Sequence, residues 1–347
     1  MKNTVSCRRW VSTASLLLAA AFAAPTQASA ATGSYSGLFV FGDSLSDPGN
    51  NAAFLGRGSV PADITSNVAV PHVPFASGTY SNGNVWAQTV AAALGVSGGA
   101  AFGPRGGTNF AFGGAETNLE IVIPGFSSPP PSLRRQASGF LNFNRGLAPS
   151  NALYVVEGGA NNLRRVAVSL VGANPTDFHA AVAVEAAAYA DDIGDIVDQL
   201  QVAGAKDIIV WNAPNAGLTP AALAFGSAAS FASSSIATAF NTALTARLST
   251  EPRTVKTFDV FGLYNSIAAD PAAFGFNNIT DACGNPSLGC SADIGHALFW
   301  DGIHPTTAGH ALLAQRVLAL AVPEPSTYAM FLIGLAGCGW VVRRRRG

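Results

Sequence analysis

Five short apolar runs recur along the middle of the chain, at residues 38–41, 108–112, 152–156, 207–211 and 254–260. Runs this short, separated by much longer segments, suit strands buried on both faces of a parallel sheet. The segments between them are rich in alanine and carry helical propensity, for instance 177–202 and 221–248. A further helical run spans 85–94 and meets its C-cap at Gly95. The last helix is predicted from Thr307 to Leu320, starting just after Pro305. Alternating strand and helix predicts one α/β domain, a three-layer α/β/α sandwich with about five parallel strands. A flavodoxin-like order would place the second run outside the first and the third on its other side. Ligands of such sheets bind beyond the carboxyl ends of the strands, at the switch point. Ser44, Gly113 and Asn161 lie just past the ends of those three runs. Two long loops, 56–84 and 124–133, are placed to shape such a site.

The ends of the chain follow a different pattern. Lys2, Arg8 and Arg9 precede an apolar run, and Ala28-Ser29-Ala30 follows it. A basic start, an apolar stretch and a small-residue cleavage site predict a secretory signal peptide over 1–31. At the other end, Pro323-Glu324-Pro325 leads into an apolar stretch from Tyr328 to Val342, followed by four arginines, Arg343 to Arg346. Residues 322–347 resemble a PEP-CTERM sorting signal. That resemblance implies a short membrane span that anchors the chain transiently. It also implies passage through the inner membrane by the export machinery, and an exosortase that acts near the motif. The expected location is the cell surface or exterior of a Gram-negative bacterium. The folding domain is then 32–321.

Charge changes once the ends are set apart. The whole chain carries 19 Lys and Arg against 20 Asp and Glu, a net charge of −1. Between Thr32 and Val322 there are 12 against 19, a net −7. An acidic domain does not suit nucleic acid or anionic lipid as a partner. Of the four cysteines, Cys7 and Cys338 fall in the terminal segments. Cys283 and Cys290 remain, and in an exported protein they read as a disulfide. Closing so short a loop is worth about 2–3 kcal/mol in the chain-entropy model. The same region lacks the ligands for a metal site, since His296 stands alone. No cofactor is implied.

Four sequence blocks carry chemistry. Gly42-Asp43-Ser44-Leu45-Ser46-Asp47 follows the first run directly. Phe112-Gly113-Gly114-Ala115 and Gly158-Gly159-Ala160-Asn161 follow the second and third, and Asp301-Gly302-Ile303-His304 precedes the last helix. Together, in this order, they resemble the GDSL or SGNH hydrolase family, in its extracellular lipase/esterase branch. The resemblance implies a serine carboxylic-ester hydrolase acting through an acyl-enzyme on a small, lipid or sugar ester. Polysaccharide O-deacetylation on the same fold is an alternative, as is a non-catalytic surface or matrix protein on a degenerate scaffold. A serine hydroxyl needs a base within hydrogen-bond reach. His304 is the candidate base and Asp301 the group that orients it. The amides of Ser44 and Gly113 and the side chain of Asn161 are the candidate oxyanion donors.

Other residues compete for these roles. Gly95-Val96-Ser97-Gly98-Gly99 matches a nucleophile-elbow pattern, but it follows a helix where that motif requires a strand. His72, His179, His296 and His310 read as structural. Asp43 and Asp47 are expected to hold the backbone of their own turn. Two positions depart from the family: Asn162 stands where it usually has Asp, and Glu157 where this branch often has an apolar or aromatic residue.

Overall fold

The computed structural model describes residues 35–55, 78–102, 106–120, 128–252 and 254–322. The expected signal peptide, the expected C-terminal span, and residues 56–77 and 124–127 of the two long loops lie outside them. Among the described residues no helix is long and apolar enough to cross a membrane.

The apolar runs form a parallel sheet. Strands β1 (Leu38–Phe41), β2 (Leu153–Val156), β3 (Asp207–Trp211) and β4 (Val255–Phe258) pair in that order, with Leu38 opposite Leu153 and Leu153 opposite Asp207. Every residue of β2 is buried, which is why its sequence, Leu-Tyr-Val-Val, shows no polar alternation. About five strands were expected, and four form among the described residues. The run at 108–112 does lie beside β1, on the side away from β2. The Val40 amide donates to Thr108 O at 3.2 Å and the Phe110 amide to Val40 O at 2.8 Å. Regular pairing is limited to one residue on each side, Val40 with Asn109 and Asn109 with Ala100. Beyond that residue the segment turns to serve the site. The Asn109 side chain holds Ser46 O at 2.8 Å and accepts from the Ala111 amide at 2.9 Å. The flavodoxin-like order therefore holds, with its outer strand reduced to a bridge.

Helices cover both faces. Helix α1 (Asn50–Leu55) follows the β1 loop, and α2 (Trp86–Leu94) packs on the face made by Leu38, Val40, Ile209 and Trp211. On the opposite face, Phe41, Tyr154, Ile208 and Val210 meet helix α3 (Leu133–Phe143), α4 (Ala160–Ser169) and α5 (Pro175–Val202). Alternation of side chains along each strand divides the core into these two layers. The segment expected as one helix over 221–248 is two. Helix α6 (Pro220–Ala224) and α7 (Ser227–Leu248) are separated at Gly226, whose φ of 91° leaves the helical region. Strand β4 also stops short of 260, because Asp259 caps helix α8 (Val260–Ala269) by accepting from the Gly262 amide at 2.8 Å. The last helix, α9 (Thr307–Ala321), begins where Pro305 predicts and is capped by Thr306 Oγ1 at 3.2 Å from the Gly309 amide. It joins α2 on the first face.

Candidate active site

The turn after β1 brings Ser44 to the carboxyl edge of the sheet. Ser44 Oγ lies 2.8 Å from His304 Nε2, and His304 Nδ1 lies 2.6 Å from Asp301 Oδ2. Asp301 and His304 are almost wholly buried. The other carboxylate oxygen, Asp301 Oδ1, accepts the amides of Ile303 at 2.8 Å and His304 at 2.6 Å. One aspartate therefore shapes the loop and also orients the ring. The Tyr80 ring packs against His304, with centroids 5.1 Å apart. Neutral imidazole in such a chain can accept the serine proton while Asp301 fixes which ring nitrogen carries hydrogen.

The turn itself is held by acids. Asp43 Oδ1 accepts the Leu45 amide at 3.0 Å. Asp47 accepts from the amides of Gly49 at 2.8 Å, Asn50 at 2.6 Å and Gly113 at 3.0 Å. Burial pushes the Asp47 carboxyl up to about 6 despite these donors. Both aspartates thus do what their sequence context predicts.

Gly113 requires a correction. Its amide, expected at the oxyanion, is spent on Asp47 Oδ2. A Cβ at this position would overlap the Tyr80 ring, so the missing side chain makes room for that ring and not for substrate. The next residue, Gly114, turns at φ 82° and donates its amide to no described residue. The Ser44 amide likewise donates to no described residue. Asn161 sits in the first turn of α4, entered through Gly159 at φ 109°. Its Nδ2 donates to Ala115 O at 3.0 Å and approaches Asp43 Oδ2 at 3.4 Å. The structure therefore brings Ser44, His304, Asp301 and Asn161 together, with the Gly113-Gly114 turn beside them. Asn162 points the other way. It brackets Thr117, donating to Oγ1 at 2.9 Å and accepting the Thr117 amide at 3.1 Å, which anchors the end of the same loop.

Glu157 is the residue whose role the sequence left unread. It ends the β2 segment, 1% exposed, under the nucleophile turn. Its Oε2 accepts the Ser46 hydroxyl at 2.7 Å and the Asp43 amide at 3.2 Å. Ser46 Oγ in turn accepts Trp86 Nε1 at 3.0 Å. Burial, and next the Asp43 carboxylate beside it, push the Glu157 carboxyl well above the usual range. That shift favours its protonated form, whose proton can be offered to the Asp43 carboxylate beside it. Its only sequence signal was a carboxylate where this branch often has an apolar residue.

The remaining candidates lie elsewhere. Ser97 is exposed after α2, past Gly95 at φ 70°, with no strand before it. Cys283 and Cys290 are bonded, Cα atoms 5.3 Å apart. His296 pairs with Asp293 at 2.7 Å, a second Asp-x-x-His that the sequence reading passed over. That pair is exposed, tied to Asn277 at 2.7 Å, and has no described hydroxyl on its other ring nitrogen. No group of three potential metal ligands occurs among the described residues.

Ser44, Asn161 and His304 open into a cavity of about 720 Å³ between α4 and the α6–α7 region. Its walls are chiefly apolar, with Leu163, Phe178, Ala222 and Ile303 among them. An apolar cavity ending at a serine–histidine pair can hold the acyl part of an ester.

Comparison with known proteins places these residues in a family. A model described as GDSL-like Lipase/Acylhydrolase matches residues 38–317, and a PEP-CTERM protein-sorting motif matches 321–346. An esterase EstA of Pseudomonas aeruginosa is 31% identical over 88% of this chain and 49% of its own length. A lipase 1 of Photorhabdus luminescens is 28% identical over 55% of this chain and 24% of its own. The chain thus spans about half the length of the first of these curated relatives. Among solved structures, an extracellular lipase from Streptomyces rimosus aligns with 82% of this chain and 99% of its own, at 15% identity and a TM-score of 0.41. With the family model covering nearly all of the described fold, the chain belongs to the GDSL-like lipase/acylhydrolase family.

Proposed function

We propose that the chain is an exported serine ester hydrolase that works through an acyl-enzyme. The observation that carries this reading is the continuous Ser44–His304–Asp301 hydrogen-bond chain at the mouth of an apolar cavity. Ser44 Oγ attacks the ester carbonyl as its proton passes to His304 Nε2. Asp301 stabilises the imidazolium across the 2.6 Å bond. The oxyanion is met by the Ser44 amide, the Gly114 amide and Asn161 Nδ2, whose second hydrogen leaves the long 3.4 Å approach to Asp43 for the substrate while the first stays on Ala115 O. His304 then protonates the leaving alcohol, leaving Ser44 acylated. Water enters, gives its proton to His304 and releases the acid, and the proton returns to Ser44.

The apolar lining favours acyl chains longer than acetyl, and so an esterase or lipase over a polysaccharide deacetylase. An intact Ser–His–Asp chain argues against a degenerate scaffold. The sorting motif supports export through the inner membrane, action of an exosortase near Pro323-Glu324-Pro325, and transient anchoring through the apolar stretch that follows. Hydrolysis of a series of p-nitrophenyl acyl esters tests the catalytic reading. Ser44→Ala is expected to abolish turnover and Ser97→Ala to leave it. Activity that survives in Ser44→Ala contradicts the assignment.

A further inference from the structure

One cation in the catalytic cavity has no part in the chemistry above. Arg164 follows Asn161 by three residues on α4. Their side chains therefore share a helix face, with Cβ atoms about 5–6 Å apart. Arg164 lines the same cavity as Ser44, Asn161 and His304. Its half-buried guanidinium makes no hydrogen bond or ion pair with any described residue.

Its neighbours behave differently. Arg165 is bound by Glu116 at 2.9 Å and Glu185 at 2.8 Å. Arg134 is bound by Asp195 at 2.7 Å, and Arg247 by Glu251 at 2.8 Å. Three carboxylates act on Arg164 through space: Asp43, Glu116 and Asp301. Each is already engaged. Asp301 faces His304 and two amides, Asp43 faces the Leu45 amide and Glu157, and Glu116 faces Arg165. The guanidinium thus lines a chiefly apolar cavity with no bound partner among the described residues.

Withdrawing a cation from water without a partner is costly, and an arriving anion offsets that cost. The planar fork of arginine fits the paired oxygens of a carboxylate or phosphate. We propose that Arg164 selects esters that carry an anionic oxygen group, carboxylate or phosphate, about one helical turn from the scissile carbonyl. The apolar part of such a substrate fills the rest of the cavity. The proposal rests on the ester-hydrolase reading and adds the substrate's charge to it.

Two substrate pairs test it. Mono-p-nitrophenyl glutarate against p-nitrophenyl butyrate reads a carboxylate. A lysophosphatidic acid against the monoacylglycerol of the same chain reads a phosphate. The ratio of kcat/KM, anionic over neutral, is measured for wild type, Arg164→Gln and Arg164→Lys. In at least one pair it is expected to fall about ten-fold or more in the Gln variant and recover partly in the Lys variant. A ratio unchanged in both pairs overturns the proposal. So does an equal loss on both members of each pair, which would mark a general structural role. A second measurement needs neither turnover nor an Arg164 variant: thermal shift of Ser44→Ala with octyl phosphate against octanol, at low and high salt. Octyl phosphate is expected to stabilise more, and to lose that advantage with salt. Equal shifts overturn the proposal. Failure of wild type to hydrolyse any ester would instead count against the hydrolase reading, while this shift still reads the anion site.

Discussion

The amide of Asp43 donates to Glu157 Oε2 at 3.2 Å, so a buried carboxyl at the end of β2 holds the residue just before the nucleophile. The same oxygen takes the Ser46 hydroxyl, two positions after Ser44. Ser44 is therefore suspended between two chain neighbours fixed on one acid, one by its amide and one by its hydroxyl.

The chemistry of that acid can be separated from its shape. In Glu157→Gln the amide oxygen can accept the same two donors, and its NH₂ can replace the shared proton toward Asp43. Activity is expected to stay within about three-fold. Glu157→Leu leaves the Asp43 amide and Ser46 hydroxyl unpaired, a cost of about 1–3 kcal/mol each at most. A drop in kcat well beyond any change in KM is the expected result, measured on a short p-nitrophenyl ester.

The pH dependence follows from the same group. The folded-state carboxyl of Glu157 lies above its ordinary value of 4.5, raised first by burial and then by Asp43. Its contribution favours folding fully below that value and is lost as pH rises through the folded-state value. The Tm of Glu157→Gln relative to wild type is expected to be higher at pH 8 than at pH 5. A difference that is constant with pH would show that Glu157 is not held protonated.

His310 has the opposite sign. It is buried beside Trp86, whose amide approaches Nδ1 at 3.3 Å. Burial, and then His304, push it down to about 3. The unfolded chain binds this proton more readily, so its contribution is full above 6.5 and is lost as pH falls toward 3. Thermal melts between pH 7 and pH 4 are expected to fall less steeply in His310→Gln than in wild type.

Asn161 and Gly113 separate transition-state binding from packing. Asn161→Ala is expected to cost about 10²–10³ in kcat, as loss of an oxyanion donor does. Gly113→Ala puts a Cβ into the Tyr80 ring. Overpacking of this kind costs about 1–3 kcal/mol, so the Tm is expected to fall. A Gly113→Ala protein with full stability would contradict the packing described here.

The apolar runs made the sheet legible, because a doubly covered parallel strand must be apolar throughout. They misled at 108–112, where the side chain of Asn109 turns the segment to serve Ser46 and Ala111. Alanine content also hid the break at Gly226, since propensity sums carry no record of one residue at positive φ. Asp301 and His304 could be read from their spacing on one loop. Which glycine of the pair frees its amide could not, because the choice is made by Asp47, a residue 66 positions earlier. Glu157 was visible only as a departure, since its two donors come from a turn more than 100 residues away.

The central claim is that Ser44 is a nucleophile activated by His304. Labelling with a fluorophosphonate, followed by peptide mapping, tests it most directly. Stoichiometric modification of Ser44 is expected, abolished in Ser44→Ala and strongly slowed in His304→Ala. Modification of Ser97 instead, or no labelling of folded protein, would contradict it.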